Sequence, residues 1–251
     1  MNNRSAYRRQ CGRRFFMMAA IGLGFGLAII APIHADEAPS TAPLPPTSLE
    51  GTTGLIRIPT AEVTPYGRYI IGVNTLDHAY RAFPGQAGDT VAHFITVGLL
   101  PGLEVSGRFL NHDGKLGFQF RENLGGGYGG YNIDRMFSAQ LLLKRQTAHW
   151  PVSLSIGAQD LTGSGVYRTQ YLALSHRSER WGLHVGYGNK RLDGIYTGAD
   201  FQAMPALRLM LEYDGSNTNA GAALSFHKFT FTPVFAGMRS FGGGISYNQP
   251  L

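Results

Sequence analysis

Cysteine is nearly absent from this sequence of 251 residues, in which Cys11 is the single example. One cysteine excludes an intramolecular disulfide framework and a cysteine-based zinc site. The histidines also lack the spacing of metal ligands, as at His93, His112, His149 and His227. We therefore expect neither a metal nor another cofactor.

Acidic residues are missing from the first part of the chain, where none precedes Asp36. Five arginines there lie ahead of an apolar stretch from Phe15 to Ile33, and the small residue Ala35 follows. This pattern predicts a secretory signal peptide over residues 1–35, cleaved after Ala35. An uncleaved N-terminal anchor is the alternative, because the apolar stretch is almost long enough to span a bilayer.

The excess of positive charge belongs to this leader. The sequence has 22 basic and 16 acidic residues, for a formal net charge of +6. Removal of the five leader arginines leaves 17 basic residues against 16 acidic ones, or a charge of about +1. Such a chain lacks the basic surface that nucleic acid requires, so we expect no nucleic-acid partner.

No second apolar run beyond the leader is long enough for a transmembrane helix. Residues 36–50 contain four prolines and no hydrophobic periodicity, which is typical of an extended linker. The rest of the chain, residues 51–251, has the length of one all-β domain.

Segments of alternating apolar and polar residues fill this domain. Leu207, Leu209 and Leu211 share one parity, for example, while Arg208 and Glu212 share the other. Successive side chains of a strand point to opposite faces, so the pattern predicts strands with one apolar and one polar side. The predicted strands are Arg68–Leu76, Thr90–Leu99, Leu103–Leu110, Arg135–Arg145, Val152–Asp160, Tyr167–His176, Trp181–Gly188, Tyr196–Met204, Leu207–Asp214, Asn219–His227, Phe229–Gly237 and Gly242–Asn248.

Short and long connections alternate between these strands, as in bacterial outer-membrane barrels with short periplasmic turns and longer external loops. The sequence therefore predicts an all-β fold, an antiparallel transmembrane β-barrel of about 12 strands over residues 68–251. Its predicted location is the outer membrane of a Gram-negative bacterium, in contact with outer-membrane lipid. The even strand number places both termini in the periplasm.

A soluble β-sandwich or lipocalin-like barrel is the competing interpretation, because alternation does not reveal which face meets solvent. Two features favour the membrane. Only 15% of the residues are charged, and the polar parity is mainly Gly, Ser, Thr, Gln and His. Tyrosine and tryptophan also gather near strand ends, where membrane interfaces favour them.

Four short stretches resemble one known family. They are Gly54-Leu55-Ile56-Arg57-Ile58-Pro59-Thr60-Ala61 with Pro65-Tyr66-Gly67, then Gly98-Leu99-Leu100-Pro101-Gly102-Leu103-Glu104-Val105, the region from Trp150-Pro151 to Gly165, and Leu211-Glu212-Tyr213-Asp214-Gly215. In this order they are similar to the YjbH-like exopolysaccharide biosynthesis proteins. The resemblance implies an outer-membrane β-barrel that acts in the secretion of a surface polysaccharide, and it does not imply an enzyme.

This chain corresponds to a short, single-barrel member, whereas the family includes longer proteins with more than one barrel. The resemblance thus predicts export or surface retention of an exopolysaccharide, together with periplasmic export components. A general diffusion porin and a sealed structural or interaction barrel are the alternatives.

The segment 51–67 carries the first of these stretches. Its signature residues are Gly54, Leu55, Ile56, Pro59, Thr60, Ala61, Pro65 and Gly67. Prolines and bounding glycines disfavour a strand interior and favour a bent, fixed conformation. A short first strand remains open, but we favour a periplasmic turn or a plug folded into the barrel mouth.

If the apolar parity faces lipid, the polar parity lines the lumen. The predicted lumen and glycan-contact residues are Glu104, Arg108, Gln140, Lys144, Gln159, Arg168, His184, Asp200, Gln202, Arg208 and Glu212. Mixed charges and amides suit a neutral or weakly charged glycan. A network of ion pairs that fills a closed barrel is the alternative.

Catalysis is not predicted. A nucleophile needs a serine beside a histidine, and the nearest local cluster, His176 with Ser175 and Ser178, lies at a short turn. The Gly-x-Ser-x-Gly elbow of hydrolases is also missing. A glycine-rich external loop holds Tyr128 and Tyr131, whose rings are candidates for stacking on sugars.

Overall fold

The computed structural model describes residues 44–76, 90–111, 133–163, 165 and 167–251. Its strands are β1 Arg68–Leu76, β2 Thr90–Leu100, β3 Leu103–Asn111, β4 Ile133–Lys144, β5 Ser153–Gln159, β6 Thr169–Arg177, β7 Trp181–Gly188, β8 Gly194–Met204, β9 Leu207–Tyr213, β10 Thr218–Phe226, β11 Phe229–Ala236 and β12 Ser240–Pro250. A 3-10 helix, Lys190–Leu192, precedes β8. Within these ranges, no helix is long and apolar enough to cross a membrane.

The strands form one closed antiparallel barrel. Each strand pairs with its neighbours in sequence, and β1 pairs with β12 from Arg68 opposite Pro250 to Thr75 opposite Gly243. The predicted 12-strand antiparallel barrel is therefore confirmed. The largest differences from the predicted bounds are two residues, at the starts of β4, β6 and β8 and at both ends of β12, where pairing with both neighbours extends the strand.

The outer surface of the barrel carries the apolar parity. On β7, Trp181, Leu183, Val185 and Tyr187 are exposed, whereas His184 between them is only 3% exposed. The same division holds on β9, where leucines face outward and Glu212 faces inward. Apolar side chains outside and polar ones inside are the reverse of a soluble barrel, and this arrangement suits a lipid surrounding.

Residues 47–64, here called the plug, lie inside the barrel. Two antiparallel bridges, Thr47 with Thr53 and Gly54 with Pro59, fold the segment back on itself. Leu55, Ile56 and Ile58 are completely buried and join the hydrophobic cluster formed with Tyr171, Tyr196, Met210 and Val234 of the wall. Of the conformations considered for the signature segment, the structure therefore has the plug.

The wall has room for the plug because it carries glycine where the two meet. A Cβ atom on Gly198 of β8 would lie 2.6 Å from Leu55 Cδ1 and 2.8 Å from Ile58 Cδ1, closer than real Cβ contacts. A side chain at this position would therefore force the ends of the Leu55 and Ile58 side chains to shift.

The predicted linker 36–50 extends too far at its C-terminal end. Ser48, Leu49 and Glu50 are buried in the barrel, because the turn that begins the plug already includes them. Residues 36–43, the predicted signal peptide 1–35, and Tyr128 and Tyr131 lie outside the described residues.

The outward parity can be tested with one charge. We expect Leu172→Arg, near the middle of β6 on the outer face, to destabilise a lipid-embedded barrel by about 2–4 kcal/mol. Gln170→Arg, near the end of the same face, is the matched control and should cost about 0–1 kcal/mol. Urea unfolding in phospholipid vesicles measures both, and equal costs would contradict a lipid-facing surface.

Candidate functional site

Glu212 on β9 holds the middle of the plug. Its carboxylate accepts hydrogen bonds from the backbone N–H groups of Ile56 at 2.9 Å, Arg57 at 2.8 Å and Ile58 at 3.3 Å. The side-chain amide of Asn219 on β10 donates a further bond of 2.9 Å. Because all of these groups are buried, the bonds are made without competition from water.

Glu104 on β3 performs the same task on the opposite side of the lumen. Its carboxylate accepts from the N–H groups of Thr53 at 2.8 Å and Thr64 at 2.7 Å, and from the Thr53 hydroxyl. Thr53 and Thr64 lie at the two ends of the signature stretch, so this one carboxylate fixes both.

A charged cluster lies between the plug and the long-loop end of the wall. Glu50 of the plug pairs with Arg108 of β3, with Arg57 at 3.3 Å and with Arg191 at 3.8 Å. Arg57 also pairs with Asp214 at 3.5 Å. Burial alone would raise the pKa of the Glu50 carboxyl, but the three arginines together hold that pKa well below its usual range.

Gln140 on β4 binds the plug through its amide. Its Nε2 donates to the carbonyl oxygens of Thr60 and Glu62, at 2.7 Å each, and its Oε1 accepts from the Tyr171 hydroxyl at 2.7 Å. Gln159 at the end of β5 donates to the Thr52 hydroxyl at 2.9 Å and accepts from Arg191 at 2.9 Å.

A serine, a histidine and an aspartate form a chain on β6, β7 and β8. Ser175 Oγ lies 2.7 Å from His184 Nδ1, and His184 Nε2 lies 2.9 Å from Asp200 Oδ2. These are the residue types of a nucleophilic triad. However, Ser175 Oγ accepts the N–H of Ala61 at 2.8 Å and is buried beneath the plug, so its local role is to bind the plug.

Sequence reasoning missed the pairing of Ser175 with His184 because it considered only local neighbours of the serine. The two residues are directly opposite each other in the β6–β7 hairpin. The signal that could have found the pair was their shared inward parity on either side of one short turn.

A second group of charges lies at the end of the barrel that carries the short turns, here called the short-turn rim. Arg177 binds Glu62 of the plug with two hydrogen bonds, of 3.0 and 2.7 Å, and pairs with Asp200 at 2.6 Å. Arg208 reaches Asp200 at 3.4 Å and donates to Gln202 at 3.0 Å.

Nine of the eleven predicted lumen residues therefore lie inside the barrel, with Gln202 half-buried at the short-turn rim. Lys144 does not. A bulge between Leu142 and Lys144 shifts the register against β5, so Lys144 lies opposite the outward Leu154. Its ammonium group is exposed, 5.3 Å from the centre of the Trp150 ring.

Arg168 is the second correction. On β6 the inward residues are Thr169, Tyr171, Ala173 and Ser175, so Arg168 has the outward parity and precedes the strand. Its Nε donates to the carbonyl oxygen of Asp160 at 3.3 Å, within the β5–β6 connection. Because Arg168 is charged, it was predicted to face the lumen. On β6, however, the residues that face the lumen are small or aromatic.

The plug leaves part of the lumen unfilled. At the short-turn rim, between the start of the plug and the wall from β8 to β12 and β1, lies a cavity of about 560 Å³. Arginines, hydroxyls, amides and prolines line it: Arg68, Arg208, Gln202, Ser225, Thr230, Ser246, Asn248, Pro45, Pro46, Pro205 and Pro250, together with Leu44, Thr47, Ile70, Ala223, His227 and Lys228.

A closed barrel with an apolar exterior and a lumen occupied in large part by residues 47–64 of the same chain defines a plugged outer-membrane-type β-barrel. Residues 47–251, which begin with the first residue of the plug, match the YjbH family, which is described as exopolysaccharide biosynthesis protein YbjH. The chain belongs to this family, as the resemblance of the signature stretches predicted. Family and fold together support an outer-membrane barrel. No curated protein matches the sequence significantly.

Solved structures with a similar barrel include three substituted forms of the porin from Rhodopseudomonas blastica. Each is 9% identical to this chain, with a TM-score of 0.31, and the match covers 64% of this chain. It covers 55% of the porin, so the chain spans about half the length of these proteins. They are too different to indicate a shared function.

The anchoring role of Glu212 can be tested by removing its carboxylate. We expect Glu212→Ala to leave three buried plug N–H groups without an acceptor, at about 1–3 kcal/mol each, and so to loosen the plug. Trypsin should then cleave after Arg57 many times faster in the folded barrel. Glu179→Ala, at an exposed turn, is the control, and equal cleavage of both variants would contradict the role.

The ion pairs of Glu50 predict acid sensitivity. Because the folded-state pKa is lowered, the stabilisation is complete above the unfolded-state pKa of about 4.3 and is lost as the pH falls below it. We expect the difference in melting temperature between the native protein and Glu50→Gln to be constant from about pH 6 to 8 and to shrink below about pH 4. A difference that is independent of pH would contradict the cluster.

Proposed function

We propose that this protein is a non-enzymatic outer-membrane component that takes part in the export or surface retention of an exopolysaccharide. Membership of the exopolysaccharide biosynthesis family over residues 47–251 is the observation that carries the proposal. The lipid-compatible outer surface supports the location, and periplasmic export components are the proposed partners.

The plug argues against a general diffusion porin. Diffusion pores keep a water-filled channel, whereas here the lumen contains a hydrophobic cluster and carboxylates that are bonded to plug amides. Every bond between Glu212 and the plug would have to break before a wide channel opened. We therefore propose that the plugged form is the resting state and that the native barrel is closed in the absence of partners.

The sealed structural or interaction barrel is the second candidate, and the same bonding of the plug favours it. The two functions differ in what the cell loses without the protein. Loss of a component of export or retention changes the amount or the location of the polymer, whereas loss of a purely structural barrel changes neither.

Deletion of the gene tests the proposal in cells. If the protein acts in export, we expect less polysaccharide in total outside the cell. If it acts in retention, we expect the total to be unchanged and the cell-bound share to move into the medium. Polysaccharide in the medium and on washed cells is measured separately, with the native gene restored as the control. Unchanged amounts in both fractions would overturn the proposal in favour of a structural barrel.

A further inference from the structure

We propose that the cavity at the short-turn rim is a binding site for a sugar residue that carries a carboxylate. The inference rests on the proposed function in that it names the class of polymer unit involved. It differs from the sequence interpretation of the lumen, which favoured a neutral or weakly charged glycan, because the cavity has a different lining from the plugged part of the lumen.

The lining of the cavity is positively charged. Two arginines, Arg68 and Arg208, line the cavity, and no acidic residue is found among the described residues that line it. Arg208 already has Asp200 at 3.4 Å, but that carboxylate is shared with Arg177 and His184. Arg68 donates to the neutral amide oxygen of Asn248 at 3.1 Å and pairs with no carboxylate within the described ranges. Its positive charge is therefore available to an anionic ligand.

The donors of the cavity also match a carboxylate in their geometry. A guanidinium group presents N–H donors in a planar fork that matches a carboxylate, which a single ammonium group does not. Arg68 is at the first position of β1, next to β12, and its parity is that of the buried Ile70, so its side chain starts from the inner face. Arg68 is therefore the residue that binds the carboxylate of the ligand.

The remaining lining suits the rest of a sugar. Hydroxyls of Ser225, Thr230 and Ser246 and amides of Gln202 and Asn248 both donate and accept, as sugar hydroxyls require. Four prolines supply rigid apolar surface for the faces of the ring. A volume of about 560 Å³ is also in the range of small-ligand sites, which is about 300–1,000 Å³.

The position of the cavity suits a site that binds a polymer on the periplasmic side of the outer membrane. It opens beside the turns Pro205-Ala206 and Lys228, on the rim where outer-membrane barrels carry their periplasmic turns. The plug borders it through Pro45, Pro46 and Thr47, so an occupied cavity would contact the plug directly.

Titration calorimetry on the whole protein in detergent micelles tests the site with defined probes. They are α-1,4-digalacturonate, its uncharged counterpart α-1,4-galactobiose, and the peptide triglutamate. We expect digalacturonate to bind at least tenfold more tightly than galactobiose, because the sugar framework is the same and only the carboxylates differ. The preference should shrink in 1 M salt, since added ions screen the guanidinium groups.

Two variants locate the binding. Arg68→Gln should weaken digalacturonate about tenfold and leave galactobiose unchanged. Ser246→Phe, which fills the cavity, should abolish binding of both sugars. Arg239→Gln, an exposed arginine at the opposite rim, is the matched control and should change neither. Faster migration of the unheated protein on a denaturing gel checks that each variant has folded.

Several results would overturn the site. They are equal binding of the two sugars, no binding of either, or unchanged affinity in Arg68→Gln. Triglutamate that binds as tightly as digalacturonate, and is lost in Arg68→Gln, would identify a site for an acidic peptide instead. The cell assay is independent. Normal polysaccharide after gene deletion, with digalacturonate still bound, would refute the proposed function alone, whereas lost secretion without binding would refute the site alone.

Discussion

A carboxylate inside a protein needs hydrogen-bond donors, because burial without them is costly. In this barrel the donors for Glu104 and Glu212 are mainly backbone N–H groups of the plug. The dependence is mutual, since those N–H groups are themselves buried and have to be bonded. The wall therefore determines the path of the plug, and the plug supplies the donors that the buried carboxylates of the wall require.

This exchange explains why the barrel can be polar inside without being an open pore. Polar side chains of β3, β4, β6 and β9 form hydrogen bonds with one folded segment. The hydrophobic side chains of the plug, led by Leu55, Ile56 and Ile58, fill the space between those bonds. Gly198 gives them the clearance to do so. The signature stretch thus joins polar backbone anchoring to apolar packing within a few residues.

Alternation in the sequence was sufficient for the strands and for most of the inward side chains, because a strand has only two faces. It failed at Lys144 since a bulge reverses parity without any signal in the residue types. At Arg168 it failed because a charged residue was assumed to mark the inner face. The partner of each inward residue was beyond prediction, since the path of the plug depends on contacts between residues far apart in the sequence.

The distribution of charge over the lumen divides it into two regions. Acidic side chains of the wall either accept hydrogen bonds from the plug, as Glu104 and Glu212 do, or pair with several cations, as Asp200 does. Arg68 at the start of β1 keeps its charge without such a partner among the described residues. The plug thereby separates an interior whose carboxylates are hydrogen-bonded or ion-paired from a more positive vestibule beside the β1–β12 junction.

That junction also joins the plug to the barrel covalently, because β1 follows the plug after only a few residues. At the same place, the backbone N–H of Leu251 donates to the carbonyl oxygen of Gly67 at 2.8 Å, next to the pairing of Arg68 with Pro250. The two ends of the sheet thus meet where the plug leaves the lumen. Both ends of the plug are therefore held at one rim, Pro46 and Thr47 beside the cavity and Gly67 at the start of β1, so the plug is a loop that enters the cylinder through a single mouth.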